Sequence, residues 1–132
     1  MDSHTPGKAL AAAEQKVANH LTEAERKAAV KRAAQMLAEK TAHFAKEMGV
    51  TYGRITIREQ KTRWGSCSSA GNLNYNWKLV LMPERVMDYV VIHELAHRKE
   101  MNHSARFYAV VAQQMPDYKV WQSWLKEHGR EY

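Results

Sequence analysis

With 132 residues, 20 Lys/Arg against 14 Asp/Glu and a formal charge of +6, the chain has the size of one domain and can bury about two thirds of the surface its unfolded form exposes. Its one cysteine, Cys67, excludes an internal disulfide framework. No stretch approaches the roughly 20 apolar residues of a membrane span, and the start lacks a signal peptide's apolar run, so the expected compartment is the cytoplasm.

In chain order, residues 1–20 read as a tail followed by a short alanine-rich helix over Lys8 to Asn19. Residues 21–132 read as the domain proper. Thr22 with Glu25 forms a capping-box pattern. The helix it opens carries Val30, Ala34, Leu37, Thr41, Phe44 and Met48 at steps of three and four, and Gly49 is its natural stop. Residues 1–66 hold 12 Lys/Arg and 7 Asp/Glu, and the remainder 8 and 7. Along residues 22–48, however, the bases alternate with Glu23, Glu25, Glu39 and Glu47, as on an ordinary solvated helix face, so nucleic acid is not the favoured partner.

From Gly53 to Val80 the periodicity shortens to two. Arg54 to Arg58 alternates polar and apolar, and Leu73, Tyr75 and Trp77 alternate with Asn72, Asn74 and Asn76, so both stretches are expected as half-buried strands. Leu79 to Met82 is expected as a third, giving a small antiparallel or mixed sheet of three strands. Pro83 suits the first turn of the helix that follows, because a helix start leaves its donor unused. After that helix, Ser104 is expected to cap another through Phe107, Val111 and Met115. Asp117 should cap a last one containing Val120, Trp121, Trp124 and Leu125 and ending at Gly129.

The chemistry sits on the central helix. His93-Glu94-Leu95-Ala96-His97 places two imidazoles one turn apart on one face, beside a carboxylate, within the apolar surroundings of Tyr89, Val90, Val91, Ile92, Leu95 and Ala96. Neutral imidazole is a good ligand for Zn²⁺, and a catalytic site needs three protein ligands and one open position. Zinc lowers the pKa of a bound water to about 7, and a carboxylate that is not itself a ligand takes the proton. Glu94 is placed for that. His103 supplies the third candidate ligand. Counting from His93, histidines at the first, fifth and eleventh positions match the metzincin spacing, although Glu100 stands where that signature has its turning glycine. Asn102 tolerates the left-handed conformation and is expected to end the helix instead.

Around this core the readings are looser. Arg63 is a candidate for holding a substrate carboxylate or phosphate, and Trp64 either caps the core or meets substrate. Tyr108 and Tyr118 are candidate oxyanion donors or wet-tipped core residues, and Cys67 is a candidate for reaching the metal. His20, His43 and His128 fall outside any ligand spacing and are expected at the surface.

The ordered set Lys61 to Ser68, Gly71 to Asn76, Asp88 to His97, Asn102-His103-Ser104 with Phe107-Tyr108, and Pro116-Asp117-Tyr118 resembles the YgjP-like metallopeptidases, relatives of the SprT-like and WLM-type zinc peptidases. The resemblance implies an α+β, zincin-like fold with an N-terminal helix, a small three-stranded sheet, a buried site helix and C-terminal helices. It also implies His93, His97 and His103 as zinc ligands, Glu94 as catalytic base, and a protein or peptide substrate. Some members of that family are described as nucleoside triphosphate pyrophosphatases, which keeps a nucleotide substrate as the alternative, with a non-catalytic basic binding module as the third reading.

Overall fold

The computed structural model describes residues 16–61 and 63–132. The expected helix over Lys8 to Asn19 lies mostly outside them, and its described end is a single 3₁₀ turn, Val17–His20. Helix α1 (Glu23–Met48) starts on the expected capping box. Thr22 accepts from the Glu25 amide, and the Glu25 carboxylate accepts from the Thr22 amide at 2.8 Å. It stops at Gly49, whose φ of 70° is the left-handed conformation that a side chain would resist. The buried stripe is rotated from the expected one. Ala29, Ala33 and Ala45 join Leu37, Thr41 and Met48 inside, Val30 and Phe44 are half-buried, and Ala34 is exposed. The small residues let α1 lie close against its neighbours, so the stripe follows shape as well as side-chain size.

Three strands, β1 (Ile55–Arg58), β2 (Gly65–Cys67) and β3 (Leu73–Asn76), form a mixed sheet in the order β1-β3-β2. Strand β1 runs parallel to β3, and β2 runs antiparallel to it. The expected strand at Leu79 to Met82 is not one. Trp77–Leu81 is a 3₁₀ turn, started by the Asn76 side chain accepting from the Lys78 amide at 3.0 Å, and it packs on α1. The third strand is Gly65–Cys67, a stretch outside the expected strands. It turns into β3 through Ser68 and Asn72, with Gly71 at φ 89° over the Arg98 guanidinium, where a Cβ would come within 2.7 Å.

Helix α2 (Glu84–Ala96) follows Pro83, which occupies the capping position just before the first turn. It is the centre of the molecule, in contact with α1, β2, the 3₁₀ turn, α3 (Ala105–Gln114) and α4 (Tyr118–His128). Its residues Val86, Met87, Val91, Ile92 and Leu95 are fully buried. Polar ties fix its angle to α1. Lys40 Nζ lies 2.6 Å from Glu84 and 2.6 Å from the buried Asp88, and Thr41 bonds the Tyr75 hydroxyl at 2.9 Å, linking α1 to β3. On α4 the aromatics Trp121 and Trp124 are half-buried as expected, but Val120 is 58% exposed. Asp117 starts α4 without a side-chain cap, its carboxylate taken by Arg85 (2.9 Å) and the Trp121 indole (3.1 Å). None of the described helices is long and apolar enough to cross a membrane.

Candidate metal centre

The last turn of α2 carries His93, and His97 stands just past its end. The chain then reverses without a left-handed residue, because among the described residues none other than glycine has positive φ. Asn102 therefore does not end the helix in the way its residue type suggested. The turn is made by helical backbone, with the amides of Arg98, Lys99 and Glu100 bonding back to Leu95 and Ala96. That reversal brings His103 back over the helix. Ser104 then caps α3 by accepting from the Phe107 amide at 3.3 Å.

The three imidazoles converge. One ring nitrogen from each of His93, His97 and His103 lies within 4.8 Å of the others, and the Nε2 atoms of His93 and His103 are 3.2 Å apart. On His93 and His97 the other ring nitrogen is held from behind. His97 Nδ1 faces the Glu100 carbonyl at 3.2 Å, where it can only donate, so its Nε2 lone pair is free to ligate. His93 Nδ1 meets the Tyr89 hydroxyl at 3.3 Å. Burial, with the neighbouring His97 and His103, pushes His93 down to about 4, and burial lowers His97 as well. Both are therefore neutral near pH 7, the form that ligates. A donor set of three convergent imidazoles fits a borderline divalent ion such as zinc.

Phe107 forms the floor of the cluster. Fully buried on α3, its ring lies 4.9 Å from His93, 4.4 Å from His97 and 4.9 Å from His103, centroid to centroid. Glu94 faces the sheet. It is 6% exposed, and burial, only partly offset by Arg63, drives its carboxyl up to about 7. Gly65 of β2 lies directly on it. A Cβ there would come 3.0 Å from Val90 Cγ1 and 3.1 Å from Glu94 Oε2, so the absence of a side chain lets the strand approach.

Two adjoining clefts, of about 250 and 340 Å³, share Arg63, Gly65, His93 and Glu94. The first also holds Trp64 and Tyr89, and the second Cys67, His97 and His103. Of the looser candidates, Arg63 and Trp64 therefore line the site. Tyr108 sits beside it, its ring 6.5 Å from His93 and 6.3 Å from His103, and Tyr118 stacks on Tyr108 at 5.8 Å. Cys67 faces the same cleft, but burial and then the Glu94 carboxylate push its thiol up, away from the thiolate that binds metal. Tyr89, Phe107 and Gly65 are site residues that the sequence reading passed over. Tyr89 is four residues before His93 and Phe107 four after His103, so helical spacing held the signal for both.

Residues 4–128 match the family described as YgjP-like, metallopeptidase domain. The chain belongs to that family. Its fold is shared with solved metallopeptidases. The metallopeptidase zymogen abylysin of Pyrococcus abyssi superposes with a TM-score of 0.62 at 23% identity, over 69% of this chain and 93% of that one. The metallopeptidase zymogen jannalysin of Methanocaldococcus jannaschii gives 0.53 at 19%, over 64% and 90%. No curated protein matches the chain. Family and fold together make it a member of a metal-dependent peptidase group with a zincin-like α+β architecture.

Proposed function

We propose that this chain is a zinc-dependent peptidase in which His93, His97 and His103 hold the ion and Glu94 is the general base. The observation that carries the reading is the convergence of three imidazole nitrogens within 4.8 Å beside a buried carboxyl held near 7. Bound there, zinc would supply Lewis acidity, polarising a scissile carbonyl and easing the deprotonation of water. Glu94 does the proton work. Its value near neutrality lets it take a proton from the attacking water and return it to the leaving amine at little cost in either direction. Tyr89 holds the His93 ring by its Nδ1, and the Glu100 carbonyl holds His97.

Strand β2 supports the peptide half of the proposal. Trp64 accepts from the Asn76 amide, Ser68 donates to the Asn72 carbonyl, and Ser66 is paired with Asn74 between them. By antiparallel alternation, the N–H and C=O groups of Gly65 and Cys67 point to the open edge, where an extended chain can pair as an added strand. Arg63 stands at that edge for a substrate carboxylate, with Trp64 as an apolar wall and Tyr108, backed by Tyr118, across the imidazoles.

Elemental analysis of the purified protein, with hydrolysis of an unstructured protein such as casein, tests the reading. One zinc per chain with cleavage is expected, and both should disappear in His97→Ala. Metal-independent cleavage, or pyrophosphate release from ATP without any cleavage of casein, would overturn it. The edge strand yields a second expectation. Gly65→Val must push β2 off α2 or turn the Glu94 carboxylate, so kcat should fall by about a hundredfold, the cost of displacing a catalytic group by about 1 Å. Zinc content, read by elemental analysis, should be unchanged because no ligand moves with it.

A further inference from the structure

On the other side of Trp64 lies a cavity of about 660 Å³, larger than either cleft of the site. Its wall brings together cations far apart in the chain: Lys16 before α1, Lys61 in the β1–β2 connection, Lys78 after β3, and Lys126 and Arg130 at the end of α4. The one lining side-chain carboxylate, Glu59, is already engaged by Arg26, by Lys78 at 3.6 Å and by the Trp77 indole at 3.1 Å. Lys16, Lys61, Lys126 and Arg130 have no carboxylate within ion-pair distance among the described residues. A solvated helix face, like that of α1, alternates its charges. Here four cations outside any ion pair converge on one concavity, where their fields add and low-dielectric walls reduce screening.

The cavity adjoins the proposed active site. Trp64 and Leu125 line both it and the cleft that holds Glu94, and Gly129 packs on the indole so closely that a Cβ would meet Trp64 Cζ2 at 3.1 Å. A chain paired along the open edge of β2 and leaving it at the Gly65 end passes Trp64 and enters the basic cavity. Because that edge offers backbone amide and carbonyl groups, the occupant it selects is a polypeptide.

We propose that this cavity is a docking site for an acidic stretch of the polypeptide substrate, so that the enzyme selects targets carrying Asp/Glu residues beside the cleaved bond. This rests on the peptidase reading for the word substrate, but occupancy can be read without catalysis. The probe is a fluorescein-labelled deca-glutamate peptide, followed by anisotropy on the full chain at low and at physiological ionic strength. Wild type and Glu94→Gln should bind alike, with affinity falling as salt rises. Lys126→Glu/Arg130→Glu should weaken binding by about tenfold or more, since reversed rim charges repel the ligand. Lys61→Glu/Lys126→Glu provides a second, independent pair should the first prove unstable. Lys27→Glu/Lys31→Glu, on the exposed face of α1, removes the same net charge elsewhere and should change affinity by less than about twofold.

Equal losses in the cavity and control variants, or no binding by wild type, would overturn the proposal. So would tighter binding of a thymidine oligonucleotide of matching charge that the same cavity variants abolish, which would make the occupant a nucleic acid. Casein hydrolysis by a protein that ignores the acidic peptide sinks the docking site alone. Acidic-peptide binding by a protein that hydrolyses nothing sinks the peptidase reading alone.

Discussion

Replacing Glu94 with glutamine should cut peptide hydrolysis by about 10²- to 10⁴-fold, the usual worth of a positioned acid–base group, and leave zinc content unchanged. The amide keeps the shape of the carboxyl and its place against Gly65 but can neither take nor return a proton. Its second effect is on the metal-free protein. Burial raises Glu94 from its usual 4.5 to about 7 in the folded chain, so the native state holds this proton more tightly than the unfolded state does. The sign follows. The carboxyl's contribution is fully present below about 4.5, is lost as pH rises through about 7, and the loss amounts to roughly 3 kcal/mol at most. His93, lowered to about 4, acts oppositely, adding stability as pH rises through the same range, but it is common to both proteins and cancels in their difference. With chelator present, Glu94→Gln should therefore gain on wild type between pH 5 and 8 in urea titrations. Parallel pH profiles would show that the carboxyl is not held near 7, and the argument for its role as base would lose its physical support.

That carboxyl was legible in the sequence because one helix carries it together with two of the imidazoles. Spacing alone places His93, Glu94 and His97, and ten residues of separation gave His103 as a candidate. What spacing did not give was how the chain turns back. Asn102 looked like the device, but the turn at Arg98, Lys99 and Glu100 is ordinary helical backbone, which many residue types adopt. Residue preferences identify a reversal only when it needs an unusual φ, as at Gly49 and Gly71.

The sheet shows the converse limit. Leu79 to Met82 is a short apolar run without periodicity, a pattern that strand and tight turn share, and the Asn76 side chain decides for the turn. Strand β2 is three residues of glycine, serine and cysteine, with no preference for extended structure in its composition. It is a strand because β3 offers an unpaired edge and α2 a surface that only a glycine at residue 65 can lie against. Both facts are tertiary. Tyr89 and Phe107 were visible in the sequence but ambiguous, since aromatic residues on a helix usually pack. They do pack here, and what they pack against is the imidazole cluster.

Phe107 is where that double role is best tested. Its ring touches all three imidazoles and none of its surface meets solvent, so Phe107→Ala opens a cavity beneath the whole imidazole cluster. Truncation of a buried phenylalanine costs about 3–5 kcal/mol, a large share of the roughly 5–15 kcal/mol that holds a domain together. In chelator, the unfolding free energy of Phe107→Ala from urea titration should fall by that amount, seen as a lower midpoint at unchanged slope. Loss of packing energy alone would leave the affinity of the surviving folded protein for zinc intact. The geometry predicts otherwise, because the floor that keeps the His93, His97 and His103 rings facing one another is gone, and loss of such outer support typically weakens metal binding about 10- to 100-fold. Val111→Ala separates the two effects. Val111 is equally buried on α3, one turn further along, and carries no ring to stack on the imidazoles, so its truncation should lower stability without changing zinc affinity in a competition titration. If both variants weaken zinc binding in proportion to their loss of stability, Phe107 is a core residue and nothing more. If only Phe107→Ala does, the histidines are held in register from below, and the centre owes its order to α3 as much as to the helix that carries the motif.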